Sequence, residues 1–103
     1  ITGGENVFSP EVEEALLQHP HVRDAAVVGR PHPEWGETVV AFVVTDGTPV
    51  GVDELREFLV PRLARYKIPR EVFVRDALPR NPSGKITKHV LRQDLQAGVQ
   101  TSA

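Results

Sequence analysis

The chain of 103 residues has no cysteine and no methionine, and its aromatic residues are one tryptophan, one tyrosine and four phenylalanines. Without cysteine there is no disulfide, no thiolate nucleophile and no cysteine-based zinc site, which fits a reducing cytoplasmic setting. The missing methionine is matched by an opening, Ile1-Thr2-Gly3-Gly4, that has neither an initiator nor a charged-then-apolar leader. The chain is therefore expected to be a segment of a longer polypeptide. No apolar run approaches the roughly 18 residues that a membrane span requires. Nor is one sign of charge in excess: 12 basic residues face 14 acidic ones, for a net charge of −2. Such a balance supplies no general field for gripping nucleic acid, so any phosphate chemistry has to be local. What is present is ordinary for a globular chain, with 40% hydrophobic and 25% charged residues. A chain of this size buries about 60 to 68 per cent of its unfolded surface, enough for one modest core.

Ser9-Pro10-Glu11-Val12-Glu13 reads as a helix start: serine caps free amides, proline suits the first helical position and acids suit the positive end of the helix dipole. Pro20 bounds that helix near Gln18. Residues 25–28 and 38–45 are Val-rich runs flanked by Gly29, Pro31, Pro33, Gly36 and Asp46-Gly47, and are expected to be two buried strands. Leu55, Phe58, Leu59 and Leu63 recur at helical spacing, which predicts an amphipathic helix over 53–65, kinked at Pro61. A short strand at 72–74, a turn-rich loop at 78–85 and a last helix over 87–95 follow, with 96–103 as a frayed tail. There is no internal repeat. This order predicts an α+β fold in which a small three-stranded sheet is flanked by helices.

The densest local chemistry is Asn81-Pro82-Ser83-Gly84-Lys85-Ile86-Thr87, a Gly-Lys pair in a turn just ahead of a helix. That arrangement can offer an ammonium and helix amides to phosphate oxygens. It is not a Walker A loop, which needs glycine where Pro79 stands and serine or threonine where Ile86 stands. On residue type alone Lys85 is a solvated loop lysine. Ser83 is a turn former, because no histidine lies near it in sequence to activate the hydroxyl. Gly3-Gly4 reads as a tight turn, Trp35 as partial core packing, and Tyr66-Lys67 as the close of a helix with the lysine at the negative end of the dipole. His19, His21, His32 and His89 lack the spacing of a zinc site, so no metal is expected on them.

Read together, the two ends of the chain carry more. Thr2-Gly3-Gly4-Glu5-Asn6-Val7-Phe8-Ser9-Pro10-Glu11-Val12-Glu13 and Leu78-Pro79-Arg80-Asn81-Pro82-Ser83-Gly84-Lys85-Ile86 resemble two core motifs of the C-terminal domain of adenylate-forming (AMP-binding) acyl-CoA synthetases, the fatty-acid-CoA ligases among them. Val27-Val28-Gly29-Arg30-Pro31-His32-Pro33-Glu34-Trp35-Gly36-Glu37 and Leu63-Ala64-Arg65-Tyr66-Lys67-Ile68-Pro69 are similar to the landmarks between them. The resemblance covers about residues 2–94. It implies a C-terminal domain over 1–95, starting just after the hinge of an ATP-dependent acid:CoA ligase.

Such a ligase works in two steps, adenylation of a carboxylic acid by ATP and transfer of the acyl group to coenzyme A, with the small domain turning a different face to the active site in each. The resemblance makes Lys85 the adenylation lysine, with Gly84 giving its loop freedom, and places Gly3 and Gly4 beside the pantetheine arm of coenzyme A. It sets Trp35, Tyr66 and Lys67 near the coenzyme A nucleotide and Asn6 near a nucleotide. Ile68 departs from relatives that carry a basic residue there. ATP and coenzyme A are the implied substrates, with Mg2+ and ATP held by the N-terminal adenylating domain, the implied partner in the same polypeptide. Acetylation of Lys85 by a lysine acetyltransferase would remove its charge. Two alternatives stand beside this reading: the same domain from a carrier-protein adenylating enzyme, and a non-catalytic interaction module on the same scaffold.

Overall fold

The computed structural model describes residues 8–98, so the expectations on Gly3, Gly4 and Asn6 lie outside the described residues. Helix α1 (Ser9–Leu17) is followed by β1 (Val22–His32), β2 (Gly36–Thr45), α2 (Val52–Leu59), a 3-10 turn (Arg65–Lys67), β3 (Glu71–Val74) and α3 (Lys88–Ala97). The sheet runs β1-β2-β3, with β1 and β2 an antiparallel hairpin and β3 parallel to β2. A parallel neighbour needs a crossover, and α2 with the 3-10 turn supplies it. The fold is α+β, as the element order predicts.

Both faces of the sheet are covered, which is why its strands read as continuous apolar runs rather than alternating ones. On one face Ala25, Val27, Val39, Ala41, Val43 and Val72 meet Val12, Ala15 and Leu16 of α1 and Leu55 and Leu59 of α2. On the other, Ala26, Val28, Val40, Phe42 and Phe73 meet Leu78 and the α3 residues Leu91 and Leu95. A Cβ at Gly29 would lie 2.3 Å from the Glu37 carboxylate across the hairpin, so a side chain there needs the flexible end of Glu37 to move aside. No helix among the described residues is long and apolar enough to cross a membrane.

Four local expectations are corrected. Ser9 does not cap α1; the first helical bond runs from Val12 N–H to the Phe8 carbonyl at 3.0 Å, so Ser9 already lies within the first turn. Among the described residues its buried hydroxyl has no hydrogen-bond partner. The second helix ends at Leu59 instead of running kinked to residue 65, because Pro61 has no N–H to continue the ladder. Leu63 is nevertheless buried. The hairpin strands are longer than the Val-rich runs, and β1 tolerates Pro31 because it is an edge strand. Helix α3 runs on to Ala97 and closes at Gly98, whose φ of 74° is left-handed.

Glu13 ties three elements together. Its Oε2 accepts the Val27 N–H at 2.8 Å, on the open edge of β1, and lies 2.8 Å from Lys88 Nζ at the start of α3. Glu13→Ala should therefore destabilise the fold by about 1–3 kcal/mol, the cost of stranding a largely buried donor, and Glu13→Gln, which keeps an acceptor, by distinctly less. Urea unfolding measures both. Equal losses for the two variants would show that the amide bond contributes nothing.

Candidate functional site

The loop that carries Lys85 is built by its own residues. Arg80 and Ile86 form an isolated antiparallel bridge, and Thr87 N–H reaches the Pro79 carbonyl at 3.0 Å, closing the loop at its base. Inside it Asn81 does most of the shaping: its Oδ1 accepts the Ser83 N–H at 3.0 Å, the Ser83 hydroxyl at 2.7 Å and the Lys85 N–H at 3.0 Å. Pro82 fixes the entering dihedral, and Gly84 takes a φ of 89° that side chains disfavour. Arg80 then anchors the loop to the sheet, donating to the Gly84 carbonyl at 2.7 Å and pairing with Asp24 of β1. The Lys85 residue is left exposed on this pinned loop. Ser83 is a turn residue, as its chemistry predicts.

A second surface lies at another part of the molecule. A groove of about 1300 Å³ is walled by Trp35 and Val39 of the hairpin, by Arg56 and Val60 at α2, and by Tyr66 and Arg70 of the segment before β3. Trp35 projects from the turn between β1 and β2 and is 54% exposed, so it is not a core residue; the three-residue connection leaves its side chain no interior to enter. The His32 ring is stacked on the indole, 4.0 Å between centroids and 7° from parallel, and the Arg70 guanidinium lies 4.0 Å from the indole centroid. Tyr66 is 62% exposed and packs at 5.2 Å against Phe8. Asp53, Glu57 and Glu37 line the same groove as Arg56, Arg65 and Arg70, so its charge is locally balanced and binding there depends on individual partners.

Of the residues singled out from the sequence, the structure brings Trp35 and Tyr66 to one groove and sets Gly84 and Lys85 together on a separate loop. Lys67 is not in the groove wall. Its Nζ lies 2.8 Å from Glu11 of α1 and over the Phe8 ring at 5.1 Å, and that bond to the carboxylate holds the ammonium pKa above its ordinary value. Tyr66 and Lys67 sit in the 3-10 turn and not at the end of a long helix. Asn81, His32 and the arginines 56, 65 and 70 escape a reading by motif. For Asn81 the signal was present, since an Asn-Pro pair opening a Gly-containing loop is a side-chain-stabilised turn. No group of three or more His, Asp or Glu side chains placed to hold a metal ion occurs among the described residues.

Comparison with known proteins gives these surfaces a context. Residues 11–85 match the family model described as the AMP-binding enzyme C-terminal domain. A long-chain-fatty-acid–CoA ligase of Mycobacterium tuberculosis is 46% identical over 99 residues, 96% of this chain and 20% of the relative. A 2-succinylbenzoate–CoA ligase of Bacillus cytotoxicus is 45% identical over 96 residues, 93% of this chain and 20% of its own length. Among solved structures, a Mycobacterium tuberculosis fatty acyl CoA synthetase superposes with a TM-score of 0.84 at 45% identity, covering 95% of this chain and 20% of that one. The chain thus spans about a fifth of the length of the relatives it matches.

Proposed function

The chain belongs to the AMP-binding enzyme C-terminal domain family, and from that membership we propose that it is the mobile C-terminal domain of an ATP-dependent carboxylic acid:CoA ligase, with a fatty acid as its acid. The observation that carries the proposal is the separation of two incomplete half-sites: Lys85 on its pinned loop, and a groove of aromatic and arginine side chains that the loop does not line. A domain that serves two steps in two orientations needs two such surfaces.

In the first step a carboxylate oxygen attacks the α-phosphorus of ATP and pyrophosphate leaves, giving an acyl-adenylate. Two anions approach each other, and an ammonium between the acid oxygen and the α-phosphate offsets the repulsion where charge develops. A unit charge pair at 4 Å is worth about 1 kcal/mol in water and several-fold more in a closed, partly dry site. Lys85 supplies that cation, and Asn81 and Arg80 hold its backbone so that closure does not have to order the loop. ATP, its Mg2+ and the acid are held by the N-terminal domain.

In the second step the thiol of coenzyme A attacks the acyl carbonyl carbon and AMP departs. The groove is the surface for the nucleotide end of coenzyme A, with Gly3 and Gly4 beside its pantetheine arm. Tyr66, the more exposed of the two rings, is the one that stacks on adenine. Trp35 holds Arg70, and Arg56, Arg65 and Arg70 take the phosphate role expected of Lys67, which is engaged by Glu11.

In the full-length enzyme Trp35→Ala should raise KM for coenzyme A by about five- to tenfold, the scale of a partly exposed cation–π contact, and leave acid-dependent pyrophosphate exchange intact. Steady-state kinetics beside pyrophosphate exchange tests this. Damage confined to adenylation would remove coenzyme A from the groove.

A further inference from the structure

We propose that His32 is the positioning residue for Trp35, and that it holds the indole in place only while its imidazole is neutral. The inference deepens the reading of the groove as the coenzyme A surface and, for its effect on catalysis, rests on that reading.

The tautomer follows from the contacts. His32 Nδ1 lies 3.1 Å from the Glu34 N–H and 3.2 Å from the Trp35 N–H. Both are donors, so Nδ1 is an acceptor and the ring proton sits on Nε2. One side chain thereby does two things: Nδ1 folds the turn that leads to Trp35, and the ring face carries the indole at 4.0 Å. A second proton has to go to Nδ1, where it faces two N–H groups, and both bonds are lost. An imidazolium is still attracted to the indole face, as the Arg70 guanidinium 4.0 Å from the centroid is, but it no longer folds the turn. The ring then has to turn away or the turn has to open, and in either case Trp35 loses its support.

Charged groups surround the ring on the neighbouring elements. Arg30 on β1 is paired with Glu71 of β3 at 2.8 Å, Glu37 at the start of β2 packs its carboxylate over Gly29, and Glu34 in the turn offers the ring its backbone N–H. Arg70 lies over the same indole, its guanidinium 4.0 Å from the centroid. A neutral imidazole can accept at Nδ1 and an imidazolium cannot, so this support depends on the protonation state of one ring.

The chain contains the design for its own control. At Asn81 a side-chain oxygen, as many bonds from the backbone as Nδ1 of histidine, folds a Pro-containing turn by accepting N–H groups from residues 83 and 85. His32→Asn should keep the turn bonds and lose the ring stack together with the titration, whereas His32→Ala loses all three.

Trp35 is the only tryptophan, so intrinsic fluorescence reports on it directly. Over the pH range in which far-ultraviolet circular dichroism is constant, the emission maximum and anisotropy of the wild-type chain should change on going from pH 8 towards pH 5. His32→Asn should show no such change, and His32→Ala should show the released signal throughout. His19, His21 and His89 are common to all three chains and cancel. In the full-length enzyme the wild-type KM for coenzyme A should rise about tenfold relative to His32→Asn at the acid end, as expected for the loss of two hydrogen bonds, while the kcat values of the two run together. Superimposable fluorescence titrations for wild type and His32→Asn would overturn the proposal, even where Trp35→Ala raises KM and the groove reading survives. A His32-dependent transition with a coenzyme A KM indifferent to both residues supports the positioning role and instead removes coenzyme A from the groove.

Discussion

Replacing Lys85 by alanine in the full-length enzyme is expected to slow acid-dependent pyrophosphate exchange by at least about a hundredfold, near the lower end of what one electrostatic donor contributes to a transition state. That is about 2.7 kcal/mol of activation free energy. Thioester formation from a supplied acyl-adenylate should proceed as in the wild type, because the anion–anion approach is already past. The geometry makes the experiment clean. Asn81 and Arg80 shape the loop through the backbone N–H of Lys85 and the carbonyl of Gly84, groups that alanine at position 85 leaves in place. The lysine is exposed, so no core contact is lost with it. Equal loss of both half-reactions would mean that the lysine serves both orientations of the domain, or neither.

What the sequence makes legible here is what short-range chemistry decides. The Val-rich runs declared two strands buried on both faces, and Pro33 with Gly36, or Pro82 with Gly84, declared the turns between elements. The motif ending in Lys85 declared its loop. Where the reading failed, it took burial for helix: Leu55, Phe58, Leu59 and Leu63 keep helical spacing and Leu63 is buried, yet the helix stops at Leu59 because Pro61 withholds a donor. Ser9 failed for a similar reason, since a residue suited to a cap was drawn into the first turn and buried. The groove was legible only in part. Lys67 finds Glu11 56 positions away, and Arg70 reaches Trp35 only because β3 pairs with β2 in a register that sets residue 70 beside the hairpin. Nothing local in either segment encodes those meetings.

The core offers the contrast that separates loss of a site from loss of the fold. Phe42 is fully buried at the centre of the middle strand, its ring 5.6 Å from Phe73 and 5.0 Å from the Arg75 guanidinium. Phe42→Ala removes most of that side chain from a layer closed by Leu78, Leu91 and Leu95, which are held to the sheet and cannot collapse fully into the space. The expected cost is about 3–5 kcal/mol, a large share of the roughly 5–15 kcal/mol that holds a domain of this size together. Denaturant unfolding should show the midpoint falling with little change in slope. The kinetic signature follows from the same argument. A domain that is partly unfolded fails in both orientations, so Phe42→Ala should lower pyrophosphate exchange and thioester formation by one common factor that recovers on cooling towards the temperature of maximum stability. Lys85→Ala should affect the first step alone and Trp35→Ala the second alone, at all temperatures. A Phe42→Ala enzyme that kept full stability, or that lost one half-reaction selectively, would place Phe42 outside the core that the packing assigns to it.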